Sequence, residues 1–213
     1  MQLQTQVQTF HFGNYRFDAL IPDAVALQQW YQQQLKQDEH APAPYWAQVW
    51  AAAYALCNFI ANRNELINNK SVVELAAGLG LPSFLAAQTA ATVTCSDVSE
   101  DAVKLMQQSI AHNQLHNCKA MVIDWNQLPA DLTADVILLS DINYEPQVFE
   151  TLYKVIVSFL EKGTTIILST PQRLMAKPFI EKLQPFIVEN FSETITAIEP
   201  EVDCSVFLLS KTA

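Results

Sequence analysis

Downstream of Asn69 the chain alternates two apolar patterns. Short β-branched runs, "SVVELAA", "TVTCSDV", "KAMVID", "ADVILLSDI" and "TTIILST", read as strands. Between them, "LPSFLAAQTA", "EDAVKLMQQSIAHNQL", "PQVFETLYKVIVSFLEK" and "RLMAKPFIEKLQPF" read as helices. Ser99 caps the second helix ahead of acidic first-turn residues, Pro146 opens the third, and Pro178 interrupts the fourth. Strand–helix alternation predicts an α/β fold, a parallel sheet covered by helices on both faces. The chain closes with "IVENFSETIT" and "CSVFLLSK", joined by "AIEPEVD". That connector is too short for a parallel crossover, so these two strands pair antiparallel.

The N-terminal part is patterned differently. "VQTFHFGNYRFDALI" predicts two strands around a Gly13-Asn14 hairpin turn. Pro22-Asp23 opens a Gln-rich helix to about Lys36, and "QDEHAPAP" is a loop. "YWAQVWAAAYALCNFIANR" predicts one further, mostly buried helix. A boundary near Asn69-Lys70 separates this part from the alternating sheet.

Composition narrows the function classes. Of 213 residues half are hydrophobic and 16% charged, enough apolar matter for one well-packed domain. Twelve basic against 22 acidic residues leave a net charge of -10, with no Lys/Arg cluster. Such a surface repels nucleic acid and anionic lipid, so neither is an expected partner. The apolar run from Val72 to Val93 is long enough for a membrane span, but Glu74, Gly78, Gly80, Pro82 and Gln88 divide it into strand, turn and helix. Cys57, Cys95, Cys118 and Cys204 have no zinc spacing; they read as reduced thiols, and no metal is expected. "MQLQTQVQTF" has no signal-peptide pattern, and a cytoplasmic location is expected.

The glycine turn places candidate chemistry. In an open parallel sheet, ligands bind beyond the carboxyl ends of the strands, where Gly78 and Gly80 fall. Gly78-Leu79-Gly80-Leu81-Pro82-Ser83 lacks the third glycine of a dinucleotide fingerprint, and no phosphate-loop lysine follows. Asp97 ends the next strand and suits either ribose hydroxyls or the N-terminal charge of the following helix. Asp124-Trp125, after the third strand, suits either an adenine amino group and ring or a turn-forming Asp with a packing Trp. Together these residues suit adenosine without a pyrophosphate.

In these motifs the chain resembles a class I S-adenosylmethionine-dependent methyltransferase, within methyltransferase family 16, the protein lysine methyltransferases and their bacterial relatives. The resemblance rests on "VVELAAGLGLPSFLAA", "TCSDVSEDAV", "IAHNQL", "DWNQLP", "ADVILLSDINYEP" and "PYWAQVWAAAYAL", from about Pro44 onward. It implies a seven-stranded Rossmann-like methyltransferase sheet with an antiparallel last strand, preceded by an N-terminal hairpin and helices. The division is a cap at residues 1–43 and a methyltransferase domain at 44–213. Ala76 and Ser83 replace two of the family's glycines, and Ala51 its proline.

By this resemblance S-adenosylmethionine is the cofactor. Glu74, Gly78 and Gly80 wall its methionine part, Asp97 holds the ribose, Asp124 and Trp125 flank the adenine, and Trp50 reaches it from the N-terminal side. Ser140 and Asp141 stand where the sulfonium meets the acceptor, while His112 and Asn113 end a helix and are not ligands. Asp141 orients an amine, with proton removal second, and Tyr144 lines the acceptor channel. The implied activity is N-methylation, foremost of lysine in a basic protein segment, by a monomer or weak dimer. A small amine substrate, a catalytically silent binding protein and, more remotely, an NAD oxidoreductase are the alternatives.

Overall fold

A computed structural model describes residues 3–211. The chain opens with β1 (Thr5–Phe12) and β2 (Tyr15–Pro22), an antiparallel pair in which Phe12 faces Tyr15 across Gly13-Asn14. Asp23 caps α1 (Ala24–Gln37) by accepting the Ala26 N–H at 2.9 Å. The single helix expected across residues 45–63 is instead a short turn at Tyr45–Ala47, an extended Gln48-Val49-Trp50, and α2 (Ala51–Asn62). Across this stretch the Trp50 Nε1–H donates to the Tyr45 carbonyl at 2.9 Å.

The alternating region follows as β3 (Ser71–Leu75), α3 (Leu81–Ala86), β4 (Thr92–Asp97), α4 (Glu100–His112), β5 (Cys118–Val122) and β6 (Val136–Ser140). It continues with α5 (Phe149–Glu161), β7 (Thr165–Pro171), α6 (Lys177–Leu183), β8 (Ile187–Ile195) and β9 (Val202–Leu209). The seven-stranded sheet has the order β5-β4-β3-β6-β7-β9-β8. Its pairs are parallel except those of β9, which runs antiparallel to both β7 and β8. The expected architecture is therefore present, and the order reverses at β3, the switch point where ligands bind. The fourth helical stretch is broken next to Pro178, as expected: Leu174–Ala176 forms a 3-10 turn and α6 begins at Lys177, with Pro178 in its first turn, where the missing N–H costs no hydrogen bond.

Strand periodicity divides the core. Val72, Val136, Leu138, Ile167 and Val206 face one cluster with α2, α3 and α4; Val73, Leu75, Ile137, Leu139, Ile166 and Leu168 face a second with α5 and α6. Phe10, Phe12 and Phe17 of the hairpin join the first cluster. Asn113 fastens the hairpin to the end of α4: its Oδ1 accepts the Asp18 N–H at 2.8 Å and its Nδ2 donates to the Asp18 carbonyl at 2.6 Å. His112 stands 3.1 Å from the Asp18 carboxylate, so the pair read as helix-end residues is a structural anchor.

Candidate active site

The site begins with the backbone after β3. Ala76, Gly78 and Gly80 have φ of +51°, +55° and +78°. A Cβ on Gly78 would lie 3.1 Å from the Trp46 carbonyl oxygen, and one on Gly80 3.1 Å from Met106 Sδ and Phe84 Cζ. Both glycines are thus required by conformation and by space. Ala76 adopts the left-handed region despite its Cβ, a strained substitution for the glycine at that place.

Asp97 locks this turn. One carboxylate oxygen accepts the Gly78 N–H and the other the Ser99 N–H, each at 2.9 Å. Burial raises its pKa against the opposing pull of these N–H donors. Glu74 occupies a different place from the wall expected for it. It is fully buried behind the turn, does not line the cavity, and its Oε2 accepts the Ser83 N–H at 3.0 Å and the Ser83 hydroxyl at 2.5 Å. A carboxyl oxygen of Glu74 thus already takes an amide at the start of α3, where a dinucleotide would bring its pyrophosphate. Ser83, in place of a glycine, adds the second donor.

Beyond the turn lies a cavity of about 680 Å³, within the range of small-molecule sites. It brings together Trp50, Gly78, Gly80, Asp97, Asp124, Trp125, Ser140, Asp141 and Tyr144. Asp124 also fills its turn-forming role: Oδ1 accepts the Asn126 N–H at 2.8 Å. All four tryptophans of the chain line the cavity, as do Tyr45 and Tyr144. Tyr45 links Tyr144 and Trp50 through ring centroids at 5.9 and 6.4 Å, and Trp30 meets Trp46 edge-on at 6.2 Å. Trp30, Tyr45 and Trp46 were not singled out from sequence, although the crowding of aromatics in "YWAQVW" was a signal.

The charges have one sign. Asp97, Asp101, Asp124 and Asp141 line the cavity, and among the described residues no Lys, Arg or His does. Four carboxylates and six aromatic rings suit a phosphate-free nucleoside bearing a cationic sulfonium; a pyrophosphate would find no cation. The residues therefore fit S-adenosylmethionine.

Asp141 follows β6 with φ +52° and is buried. Its N–H donates to the Ser169 carbonyl at 2.9 Å. Both carboxylate oxygens accept from one guanidinium, Oδ1 from Arg173 Nη1 and Oδ2 from Arg173 Nη2, the latter at 2.9 Å. Arg173 follows β7, which pairs with β6, and does not line the cavity. Nothing in the local sequence marked it.

The chain matches a family model described as lysine methyltransferase over residues 29–186. It is 31% identical over 124 residues to the human histone-arginine methyltransferase METTL23, covering 55% of this chain and 65% of that protein. To the protein N-lysine methyltransferase METTL21A of Xenopus tropicalis it is 31% identical over 132 residues, covering 60% and 61%. The matches thus span less than two thirds of the length of these curated relatives. A solved structure of the Pyrococcus abyssi tRNA (uracil-54, C5)-methyltransferase with S-adenosyl-L-homocysteine shares the fold at a TM-score of 0.59 and 13% identity, over 95% of this chain and 44% of that one. With a family model matching most of its length, the chain belongs to the lysine methyltransferase family, methyltransferase family 16.

Proposed function

We propose that the chain is an S-adenosylmethionine-dependent N-methyltransferase acting on lysine side chains of a protein. The observation that carries this reading is the cavity lined by aromatic rings and aspartates, with no Lys, Arg or His lining it among the described residues. Asp97 holds the ribose hydroxyls, and Asp124 and Trp125 flank the adenine. The backbone at Gly78 and Gly80 approaches the methionine part, while Trp50 and Ser140 border the reacting end. Glu74 braces the turn from behind through Ser83.

The bound cofactor supplies a methyl group on a good leaving group, so the protein's task is alignment and exclusion of water. The acceptor nitrogen lone pair forms the N–C bond as the S–C bond breaks and its electron pair goes to sulfur. Water takes the ammonium proton before attack and one product proton after it. Asp141 orients the amine, and Tyr144 forms an aromatic wall beside it.

The exposed aromatic residues that line the cavity, Tyr45 and Tyr144, suit a polypeptide better than a free small amine. The net charge of -10 suits a basic segment. Residues 1–43 act as a cap, with Trp30 and Gln34 of α1 reaching the cavity. The working form is a monomer or weak dimer in the cytoplasm; among the described residues no helix is long and apolar enough to cross a membrane.

The likeness to METTL23 favours one second reading, an arginine acceptor. Incubation with methyl-labelled S-adenosylmethionine and fractionated lysate of the source cells separates them. Methyl-lysine in the hydrolysed protein is expected. Methylarginine, a labelled small molecule, or no transfer at all would each refute the lysine reading.

A further inference from the structure

Lysine methylation meets a contradiction at Asp141. The amine must be neutral to attack, yet its reference pKa is ~10.4, and a carboxylate alongside favours the charged ammonium. A bare aspartate beside the acceptor would orient the nitrogen and disarm it together. The structure places a guanidinium on the far side of this carboxylate. Arg173 donates to both Asp141 oxygens from outside the cavity, while Asp141 itself lines it. The Asp141 side chain is 7% exposed and that of Arg173 31%, so water screens the pair only partly.

We propose that Arg173 is a positioning residue that cancels the charge of Asp141 while leaving its carboxylate as a hydrogen-bond acceptor, so that Asp141 orients the lysine amine without holding it in the ammonium form. The inference rests on the lysine reading above. Each carboxylate oxygen has a second lone pair, and after the two Arg173 bonds one remains on each for the acceptor N–H. The fork geometry also fixes the carboxylate plane, which one ammonium contact would not do. Backbone strain points the same way: Asp141 is held at φ +52° and tied to Ser169 on β7, the strand that leads directly to Arg173.

The other titratable groups near Asp141 do not supply the compensating charge. Cys204 on β9 is a buried thiol pushed up to about 12, chiefly by burial and then by Asp141. The Tyr144 hydroxyl is also pushed up, by burial first, then by Glu145, Tyr45, Asp97 and Asp141. Neither a thiol nor a phenol can carry a positive charge, and Glu145 and Asp97 are acids. Arg173 is the cation paired with Asp141 among the described residues.

An uncompensated carboxylate a few ångströms from an amine raises the amine pKa by about one unit or more. The test is single-turnover methyl transfer from pH 6.5 to 10, with the protein fraction of the source-cell lysate as acceptor probe. Affinity for S-adenosylhomocysteine is measured in parallel by calorimetry. In Arg173→Met the acid limb of the rate profile should move up by about one pH unit. The rate near pH 7.5 then falls about tenfold beyond any loss at the high-pH plateau. Arg173→Lys keeps the charge but not the fork: its limb should stay in place while its plateau falls. Asp141→Asn combined with Arg173→Met removes both charges and should return the limb to its wild-type position. Affinity for S-adenosylhomocysteine should hold within about twofold in all three.

A limb that does not move in Arg173→Met, or that stays displaced in the double variant, overturns the proposal and leaves the lysine reading standing. Lost S-adenosylhomocysteine affinity in Arg173→Met also overturns it, because the arginine would then be holding the whole cavity. No methyl-lysine from the wild-type protein would refute the lysine reading itself, and this inference with it.

Discussion

Glu74 gives the fold a pH dependence that can be isolated by one substitution. Burial raises its pKa from 4.5 to about 8, against the pull of the Ser83 hydroxyl and N–H; the nearby Asp97 adds to the rise. Between these two values the folded protein holds a proton that the unfolded chain has released. Stability contributed by this group is therefore complete below pH 4.5 and declines as pH rises toward 8. The slope approaches about 1.4 kcal/mol per pH unit inside that window, so about 2.7 kcal/mol is lost between about pH 5.5 and 7.5. For a chain of this size that corresponds to about 5–11 °C in Tm. Glu74→Gln keeps an oxygen to accept both Ser83 bonds and cannot ionise. Its amide also meets the place where Glu74 Oε1 has no hydrogen-bond partner, which costs about 1–3 kcal/mol at every pH. The decisive quantity is thus the difference in slope, not the difference at one pH. Urea unfolding of wild type and Glu74→Gln at three pH values across the window gives it, since groups common to both largely cancel. Stability curves that stay parallel within about 0.5 kcal/mol would show that the buried carboxyl does not hold a proton in the folded state.

Two further substitutions probe the turn itself. Asp97→Ala removes the acceptor proposed for the ribose, and calorimetry with S-adenosylhomocysteine should show at least a tenfold weaker affinity, since a hydrogen bond to a charged group is worth ~1.5–3 kcal/mol; unchanged affinity would remove Asp97 from the ribose site. Ala76→Gly relieves a residue held at φ +51°, and the relief of about 1–2 kcal/mol outweighs the greater freedom of unfolded glycine, so Tm should rise by about 1–4 °C; a lower Tm would mean that the alanine methyl contributes packing worth more than the strain.

The sheet was legible because its signals are local. β6 is apolar on both faces, as "VILLS" announced, and alternate residues feed the two core clusters. The reversed last strand followed from the length of one connector. The segment before α2 was not legible. "YWAQVWAAAYAL" has the apolar density of a buried helix, but its first six residues carry a local bond from Trp50 to the Tyr45 carbonyl and set the Trp46 carbonyl against Gly78. Propensity does not register a contact with a turn some thirty residues away.

The same distinction explains the site. Gly78, Gly80, Asp97, Asp124 and Asp141 stand at strand ends, so strand boundaries alone place them around one crevice. Glu74 stands within a strand, and its direction depends on the alternation of the pleat. The family resemblance implied a place for it in the cofactor wall; the pleat turns it to the back of the loop, where Ser83 receives it. Arg173 is 32 residues from Asp141 in sequence, and only the pairing of β6 with β7 brings the two strand ends together. In each case the acid that sequence singled out gained its physical meaning from a pairing that sequence did not show. Serine holds Glu74 behind the cavity, and arginine compensates Asp141 at its edge. A strand end locates a carboxylate, but its partner determines what charge the bound ligand meets.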